Sequence, residues 1–480
     1  MSTKQFLRTA AVAIWAALVT VPVQADDYFR HGGIRYKIES FIDQELRVTF
    51  PEEADHETTD LVIPATIKTK QGQVWTVTAI GENAFNADLY EAGYKSLRSV
   101  TIPKTVKIIH KDAFKSCKVT MLTVNCAKPF PTEHLKKTLV TLNLGQLATF
   151  KEVGEGYFST FKKIRTITVA PQNKNFAVED GVLYNKEKTV LLCFPRGKSV
   201  LRMPATVQRF AIRIVSGEPW TDVFSGLSGG DANTDITEIH FSPAFKEILP
   251  QAFSGCKNLE RVTLPNTLTS IGRSAFSWTK LSSVVIPNSV TEIGYGAFWD
   301  CNSLKQITLP NALTKISDGM FHGCYALERI VIPNSVAEIG DGAFIECKSL
   351  KEVVIGNGVK KIGDSAFTKC QSLTAISLPN TLEIIGSRAF DDTGLKTIDI
   401  PASVKKIDCA ALYCAGEGVT INCYPQNPPS NRCAEDCGIF NCIRISDPSK
   451  VTLHIPRGAK ERYLRSVQYR LLEKVMIDDL

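Results

Sequence analysis

The stretch Ala252-Phe253-Ser254-Gly255-Cys256-Lys257-Asn258-Leu259, continued by Val262, Leu264-Pro265-Asn266, Leu268 and Ile271-Gly272, decides the fold because the chain repeats it. The Phe recurs in steps of 22 or 23 residues, at Phe253, Phe276, Phe298, Phe321, Phe344, Phe367 and Phe390. The Leu recurs with it, at Leu259, Leu281, Leu304, Leu327, Leu350, Leu373 and Leu395. Self-similarity at a fixed period in the twenties indicates a solenoid, and this period lies in the leucine-rich-repeat range.

Each position of the repeat has a physical role, which the copy Leu304-Lys305-Gln306-Ile307-Thr308-Leu309-Pro310 illustrates. Ile307 and Leu309 point to one side of an extended strand and Thr308 points away. Pro310 ends the strand because it has no N–H to donate. A second apolar pair then returns to the core. The Gly that follows it (Gly340 in one copy) suits a positive φ or a close backbone approach.

The remaining string, Ala-Phe-x-x-Cys, reads as one helical turn whose Phe and Cys share a face. Stacked copies bury the apolar sides that a single copy would expose. The sequence therefore predicts an α+β solenoid. We expect a leucine-rich-repeat horseshoe with a parallel inner β-sheet, short helical turns outside, a β-rich N-terminal cap and a small C-terminal cap.

The string Leu-x-x-Ile-x-Leu-Pro-Asn-x-Leu-x-x-Ile-Gly-x-x-Ala-Phe-x-x-Cys resembles the BspA-like, or Treponema-type, leucine-rich repeat surface proteins of bacteria and some protozoa. The strings at Asp180-Gly181-Val182-Leu183-Tyr184 and Val77-Thr78-Ala79-Ile80-Gly81 are also similar to segments of that family. The resemblance covers most of the chain. It implies a cell-surface protein that binds other proteins or adheres to cells.

The first 25 residues read as a secretory signal peptide. Lys4 and Arg8 give a positive start, an apolar run covers 10–21, and Val23-Gln24-Ala25 is a cleavage site. The apolar run is too short for a membrane anchor, and we expect no transmembrane segment after the signal is removed. Removal of Lys4 and Arg8 lowers the net charge from +7 to +5. Because charges of both signs are interleaved along the repeats, nucleic acid is disfavoured as a partner.

The chain is predicted to divide into a signal peptide at 1–25, an N-terminal β cap at 26–80, a solenoid at 81–425 and a C-terminal cap at 426–480. Within the solenoid, 81–244 is irregular and 245–408 is regular. The Asp180-Gly181 pair predicts a hairpin corner inside the irregular part. Solenoids can be of any length, so 480 residues do not require several globular domains.

The outward positions of the predicted inner sheet form the candidate binding surface on the concave face. They carry mixed charges, Thr and Val, with neither an aromatic row for stacking nor a cluster for acid–base chemistry. Such a surface is suited to a protein partner. The alternative is that these residues are present only because they favour strand formation. The candidate residues are Arg261, Thr263, Gln306, Thr308, Arg329, Val331, Glu352 and Val354.

The stretch 211–235 is the longest interruption of the repeat and a second candidate site, because long loops are frequently functional. Its candidate residues are Trp220, Phe224 and Asp231. The string Gly226-Leu227-Ser228-Gly229-Gly230 matches the G-x-S-x-G motif of the serine-hydrolase nucleophile turn. The motif requires a strand before it and a helix after it, and the flanking residues predict neither. Asp231-x-Asn233-x-Asp235 starts like a calcium loop but has Ile236 at the turn position that requires Gly.

The cysteines fall into two classes. Five occupy one repeat position, at Cys256, Cys301, Cys324, Cys347 and Cys370, and are predicted to be buried free thiols that pack as small apolar groups. A disulfide or metal ladder is the alternative. The group Cys433, Cys437 and Cys442 lies in an exported, loop-rich segment, and these three are candidate disulfide cysteines, with free thiols as the alternative. The histidines show no metal-ligand spacing.

These observations predict no catalytic residue, metal or cofactor. The leading hypothesis is an exported, monomeric, non-enzymatic protein that binds a host or neighbouring-cell surface protein. It would be secreted or held at the cell surface. The alternative is a structural scaffold at the surface or in the periplasm without a host ligand. An enzyme with its site at 211–235 is the third hypothesis.

Overall fold

A computed structural model describes residues 28–50, 58–70, 72–87, 94–130, 133–149, 155–215, 218–220, 223–224, 233–408, 410–412, 419–430, 451–466, 469 and 473–480. The chain divides into two compact units, 1–196 and 197–480. The predicted signal peptide, Asp231 and the group Cys433, Cys437 and Cys442 lie outside the described residues.

The first unit begins with a mixed sheet and continues with a parallel one. Its strands are β1 (Tyr28–His31), β2 (Ile34–Ser40), β3 (Glu45–Thr49), β4 (Asp60–Val62), β5 (Thr66–Lys68), β6 (Val74–Ile80), β7 (Ser99–Ile102), β8 (Ile108–Ile109), β9 (Met121–Val124), β10 (Thr141–Leu144), β11 (Thr166–Val169), β12 (Phe176–Glu179), β13 (Val182–Asn185) and β14 (Val190–Cys193). A 3₁₀ helix spans Glu155–Thr160. The parallel sheet has the order β11-β10-β9-β7-β4.

The predicted hairpin is confirmed where β12 pairs antiparallel with β13. Asp180 and Gly181 form its corner, with φ of 49° and 72°. Positive φ at both central residues is the requirement of a type I′ turn, which Asp-Gly satisfies well. Whether the antiparallel β1–β2–β3 sheet caps the solenoid stays a prediction.

The second unit carries the regular repeats. Its strands are β15 (Val200–Arg202), β16 (Arg209–Phe210), β17 (Arg213–Val215), β18 (Glu218–Trp220), β19 (Glu238–His240), β20 (Glu247–Ile248), β21 (Arg261–Thr263), β22 (Ser270–Ile271), β23 (Ser283–Val285), β24 (Glu292–Ile293), β25 (Gln306–Thr308), β26 (Lys315–Ile316), β27 (Arg329–Ile332), β28 (Glu338–Ile339), β29 (Glu352–Ile355), β30 (Lys361–Ile362), β31 (Ile384–Ile385), β32 (Thr397–Ile400), β33 (Lys406–Ile407), β34 (Val419–Cys423), β35 (Val451–Ile455) and β36 (Met476–Asp478). Helix α1 spans Lys460–Arg465 and a 3₁₀ helix spans Glu473–Val475.

The regular repeats have three sides. The predicted strand forms the first side, where β23 pairs in parallel with β25 and β27 with β29, except in the copy at 373–379, which has no strand there. A short second strand forms the next side, in the ladders β20-β22-β24 and β26-β28-β30-β31-β33. The sequence predicted that the chain returns to the core at this point, but it did not predict a second strand. The Ala-Phe-x-x-Cys string forms the third side, called the turn side below.

The prediction of helical turns is wrong, since no residue of 233–408 is helical. The residue two positions after each repeat Phe has a positive φ in all seven regular copies: Gly255, Trp278, Asp300, Gly323, Glu346, Lys369 and Asp392. An α-helix needs successive negative φ values, so it cannot continue through this position. The Phe N–H instead donates to the next repeat, as from Phe276 to the Ala297 carbonyl at 2.8 Å.

The core of the turn side is a stack of phenylalanine rings. Consecutive ring centroids from Phe253 to Phe390 lie 5.1 to 5.7 Å apart, and the ring planes are within 18° of parallel. All seven rings are fully buried. A buried Phe contributes about 1.5–3 kcal/mol of transfer free energy, so this stack is a principal source of cohesion between repeats.

The repeat glycines act by close approach rather than by positive φ. A Cβ on Gly272 would lie 2.4 Å from the Pro250 nitrogen of the preceding repeat. One on Gly386 would lie 2.5 Å from an Asp364 carboxylate oxygen. Both glycines have ordinary φ values, so it is space between repeats that requires glycine there.

Candidate functional site

The eight predicted surface residues all lie on the first strand side, and all eight are exposed. In β25 the alternation places Ile307 in the core and leaves the side chains of Gln306 and Thr308 in solvent. The parallel register then aligns equivalent positions of neighbouring repeats, so that Arg329 lies beside Glu352 and Val331 beside Val354. We call this surface the strand face; it consists of the outward residues of β19, β21, β23, β25, β27 and β29.

Charged side chains on the strand face, and those of the residues directly before its strands, are paired across repeats. Arg329 Nε lies 2.9 Å from Glu352 Oε2, and Lys351 Nζ lies 3.6 Å from Glu328 Oε2. Exposed pairs of this kind contribute less than about 1 kcal/mol to stability. Their main effect is therefore to give the surface a fixed pattern of alternating charge that a partner can match.

A second charged group lies at the start of the regular block. Arg261 donates to Glu238 Oε2 at 2.8 Å, and His240 Nε2 lies 2.6 Å from the other oxygen of the same carboxylate. The hydrogen bond from Arg261 and then that of His240 hold the pKa of Glu238 below its usual value. The same carboxylate raises the pKa of Arg261. Glu238 is therefore an anion held between two donors.

Apolar residues accompany these charges. Val285, Val331 and Val354 are 69%, 43% and 40% exposed, and all three occupy the last outward position of the strand pattern. Thr263 and Thr308 occupy the same position in β21 and β25. The strand face thus combines an apolar and hydroxyl column with a charged column.

A recess of about 610 Å³ opens on the strand face. Three of the eight predicted residues line it, together with Ser283, which shares their register column. The other four lining residues lie one register column earlier, and sequence reasoning missed them. The lining residues are Ser282, Ser283, Lys305, Gln306, Glu328, Arg329, Lys351 and Glu352. The fixed repeat spacing could have identified Lys305, Glu328 and Lys351, because each precedes a predicted surface residue directly.

The stretch 211–235 is only partly described. β17 and β18 pair as an antiparallel hairpin that includes the backbone of Trp220. Phe224 is buried, and its ring packs against Phe253 at 4.9 Å and Phe210 at 5.4 Å between centroids. The Phe224 ring therefore belongs to the core and extends the phenylalanine stack, rather than lining a surface of the loop.

The five repeat cysteines are buried free thiols. Each thiol from Cys301 to Cys370 donates to the carbonyl of the Phe in the preceding repeat, for example from Cys347 to Phe321 at 3.2 Å. Where a copy has Thr instead, Thr279 donates to the Phe276 carbonyl of its own repeat. Burial raises the pKa of the Cys301 thiol to about 12, which keeps it protonated and unreactive at neutral pH.

Among the described residues, no three His, Cys, Asp or Glu side chains are grouped as a set of metal ligands. Within that same part of the chain, no helix has the length and apolar character to cross a bilayer.

The chain was compared with known families and structures. The model of the BspA type leucine-rich repeat region matches residues 73–188, 232–351 and 337–427, in six copies. These ranges contain more than half of the sequence. The chain belongs to this family. No curated protein matches it.

A solved structure shows the same fold for this BspA-type chain. A leucine-rich repeat protein from Bacteroides ovatus ATCC 8483 superposes with a TM-score of 0.58 at 22% identity, over 88% of this chain and 99% of that one. The leucine-rich repeat architecture predicted from the sequence is therefore confirmed.

Two further structures are less similar. A leucine-rich repeat protein from Eubacterium ventriosum ATCC 27560 has a TM-score of 0.40 at 21% identity, covering 77% of this chain and 95% of that one. A leucine rich cell surface protein from Faecalibacterium prausnitzii A2-165 has a TM-score of 0.34 at 19% identity, covering 88% and 98%.

Proposed function

We propose that this BspA-type chain is an exported, non-enzymatic protein that binds another protein through its strand face, at the cell surface. The observation that carries the proposal is the exposed valine column, Val285, Val331 and Val354, beside a column of paired charges. β-Branched residues favour strands, but exposed apolar side chains in adjacent strands also offer area for a partner to bury. Leucine-rich repeat surfaces in general present such sheets to proteins.

Mixed polarity supports a protein partner over other ligand classes. Apolar area supplies affinity, while charge pairs such as Arg329–Glu352 at 2.9 Å supply orientation and on-rate. A nucleic acid would need unpaired cations along the face. The export step rests on the sequence of residues 1–25. The surface location rests on that export together with membership of the BspA-type family.

Capture of partners by the mature chain tests the proposal. Val331→Asp places a charge in the centre of the valine column, and Val74→Asp is its matched control, because Val74 is a strand valine of similar exposure outside the strand face (46% against 43%). Binding should fall at least about tenfold for Val331→Asp, since a buried unpaired charge is costly at an interface. It should stay unchanged for Val74→Asp.

Charge reversal at Arg261, Arg329 and Glu352 should lower the rate constant for association with the partner. It should also make that rate constant less dependent on salt concentration. Equal partner recovery by the wild type, the triple charge-reversal variant and Val331→Asp would rule out the strand face. Protease treatment of intact cells tests the location, because a surface protein is cleaved and a periplasmic scaffold is shielded.

A further inference from the structure

A second recess lies where the second strand of the repeat passes into the turn side. Its volume is about 370 Å³, and its wall includes Glu292, Tyr295, Lys315 and Asp318. This volume falls within the range of roughly 300–1,000 Å³ found for small-ligand sites. None of these residues belongs to the strand face, so the recess is independent of the surface assigned to a protein partner.

Tyr295 gives this recess an aromatic wall. Its ring is 43% exposed, although the equivalent positions of other regular copies carry the polar residues Arg273, Asp318, Asp341, Asp364 and Ser387. The phenylalanine stack that holds the repeats together lies inside and does not include Tyr295. The repeat therefore does not require an aromatic side chain at this surface position.

Trp299 extends the aromatic wall. Its ring lies 5.7 Å from Tyr295 and stacks on His322 at 4.1 Å between centroids, with planes 10° apart. Glycine in two neighbouring repeats makes room for the indole, because Cβ atoms on Gly296 and Gly319 would approach it to 3.2 and 3.1 Å. The result is an aromatic surface that spans neighbouring repeats, in which the Tyr295 and Trp299 ring planes are inclined at 45°.

Trp278 joins the same cluster from the preceding repeat. Its backbone N–H donates to the Trp299 carbonyl at 2.8 Å, and its indole N–H donates to Asp300 Oδ2 at 2.6 Å. The indole is 48% exposed on a backbone with φ of 57°, a conformation that Gly255 and Gly323 adopt at the equivalent position. All seven regular copies share this positive φ, so the exposed indole, rather than its backbone conformation, distinguishes Trp278. We call Trp278, Tyr295, Trp299 and His322 the aromatic shelf.

The charges beside the shelf indicate the kind of ligand. Lys315 Nζ lies 3.3 Å from Asp318 Oδ1 and 3.5 Å from Glu338 Oε1, so one ammonium is held between two carboxylates. The Arg273 guanidinium lies 5.5 Å from the Tyr295 ring centroid, so Arg273 and Lys315 would oppose a cationic ligand, while Glu292 and Asp318 would repel an anionic one. A neutral molecule rich in hydroxyl groups can donate to the carboxylates and accept from the ammonium at once.

We propose that this recess and the aromatic shelf bind a neutral hexopyranose unit of a glycan. The apolar C–H face of the sugar packs on the Tyr295 ring, and its hydroxyl groups bond to Glu292, Lys315 and Asp318. Trp299 and Trp278 contact the next sugar units along the chain of the glycan. The ligand class follows from two requirements, a flat apolar face and several neutral hydroxyls, which a hexopyranose satisfies together.

The test uses the full mature chain and a defined panel of sugars. An array carries neutral oligosaccharides of glucose, mannose, galactose and N-acetylglucosamine beside their sulfated forms, and free monosaccharides are added as competitors. At least one neutral oligosaccharide should bind and quench tryptophan fluorescence. Weak competition by the free monosaccharide would assign the site to a glycan chain, and full competition to a single terminal unit.

Tyr295→Ala should weaken this binding about tenfold or more, because it removes the stacking surface. Tyr295→Phe keeps the ring and should retain binding. Tyr424→Ala is the matched control, since Tyr424 is equally exposed at 42% but lies outside the recess, and its binding should equal that of the wild type. Thermal melting of each variant checks that the fold is intact.

Absence of binding to every neutral oligosaccharide, stronger binding of the sulfated forms, or unchanged binding by Tyr295→Ala would each overturn the proposal. Loss of a protein partner in Tyr295→Ala without any sugar binding would assign the recess to protein contact instead. Val331→Asp should leave sugar binding unchanged, so failure of the glycan site and failure of the strand face are separate results.

Discussion

The strand face and the turn side of one repeat are built from residues only a few positions apart, but they differ in what fixes them. In the copy around 321–332, Phe321 is fully buried and stacks on two neighbouring rings. Val331 and Arg329 are exposed and contact solvent. The turn side therefore holds the repeats together through packing, and the strand face can vary without loss of the fold.

The same contrast separates the backbone of the two sides. Strand residues adopt ordinary extended geometry, whereas the turn side has two positive-φ residues per copy, such as Gly296 and Asp300. Exposed substitutions on a strand seldom change the free energy of unfolding by more than about 0.5 kcal/mol. Substitutions on the turn side should change the free energy of unfolding more, because they disturb a packed core and a backbone of restricted φ.

The largest expected effect belongs to Phe321→Ala, which interrupts the centre of the phenylalanine stack. Removal of a buried Phe side chain costs about 3–5 kcal/mol of unfolding free energy. Val331→Ala in the same repeat is the control and should change it by less than about 0.5 kcal/mol. Urea unfolding midpoints measure both variants, and similar midpoints would contradict the assignment of cohesion to the turn side.

An intermediate effect is expected for Gly323→Ala. Gly323 has φ of 70°, and an added Cβ would collide with Oδ1 of Asp300, whose other carboxylate oxygen accepts from the Trp278 indole. Gly458→Ala is the matched control, because Gly458 has φ of 75° with no atom near the added Cβ. Both substitutions should lower the free energy of unfolding by about 1 kcal/mol, because alanine is strained at positive φ. Gly323→Ala should lower it by up to about 1 kcal/mol more, because of the collision.

Thermal denaturation of the two glycine variants gives the comparison. If Gly323→Ala melts at the wild-type temperature, the positive φ at that turn position does not restrict the residue, and the account of why the turn side is not helical fails.

The smallest effect is expected for Arg329→Ala. Its partner Glu352 is equally exposed, so the pair should contribute below about 1 kcal/mol and less at high salt. A double-mutant cycle with Glu352→Ala measures the coupling. A coupling energy above about 2 kcal/mol would mean that the strand face also stabilises the fold, and would remove the distinction between the two sides.

Much of this fold could be predicted from the sequence, because period and alternation report directly on burial. The spacing of Leu304, Ile307 and Leu309 identified the first strand and its outward positions. The turn side was misread because Phe and Cys three residues apart fit one face of a helix equally well. A glycine such as Gly255 or Gly323 indicates a positive φ in the sequence. The equivalent residues Trp278, Asp300 and Lys369 give no such indication, although their φ is also positive.

The candidate sites were predicted unevenly for a related reason. Surface residues on the strand face follow from register alone, so all eight proved exposed. The recess beside Tyr295 depends on contacts between two neighbouring copies, including the space above Gly296 and Gly319 that Trp299 fills. Those contacts join residues about 20 positions apart that no single motif places together.

The forward hydrogen bonds of the turn side have a consequence for how such a chain can change length. Phe321 donates to the Ala343 carbonyl and Phe344 donates to the Ala366 carbonyl, so equivalent atoms meet at every junction. Removal of one whole 23-residue unit, for example 322–344, would bring Phe321 to Ala366 with the same partners on both sides. Duplication or loss of a complete unit therefore keeps the hydrogen bonds between neighbouring repeats and changes only the length of the stack. Duplication or loss of part of a unit does not keep them.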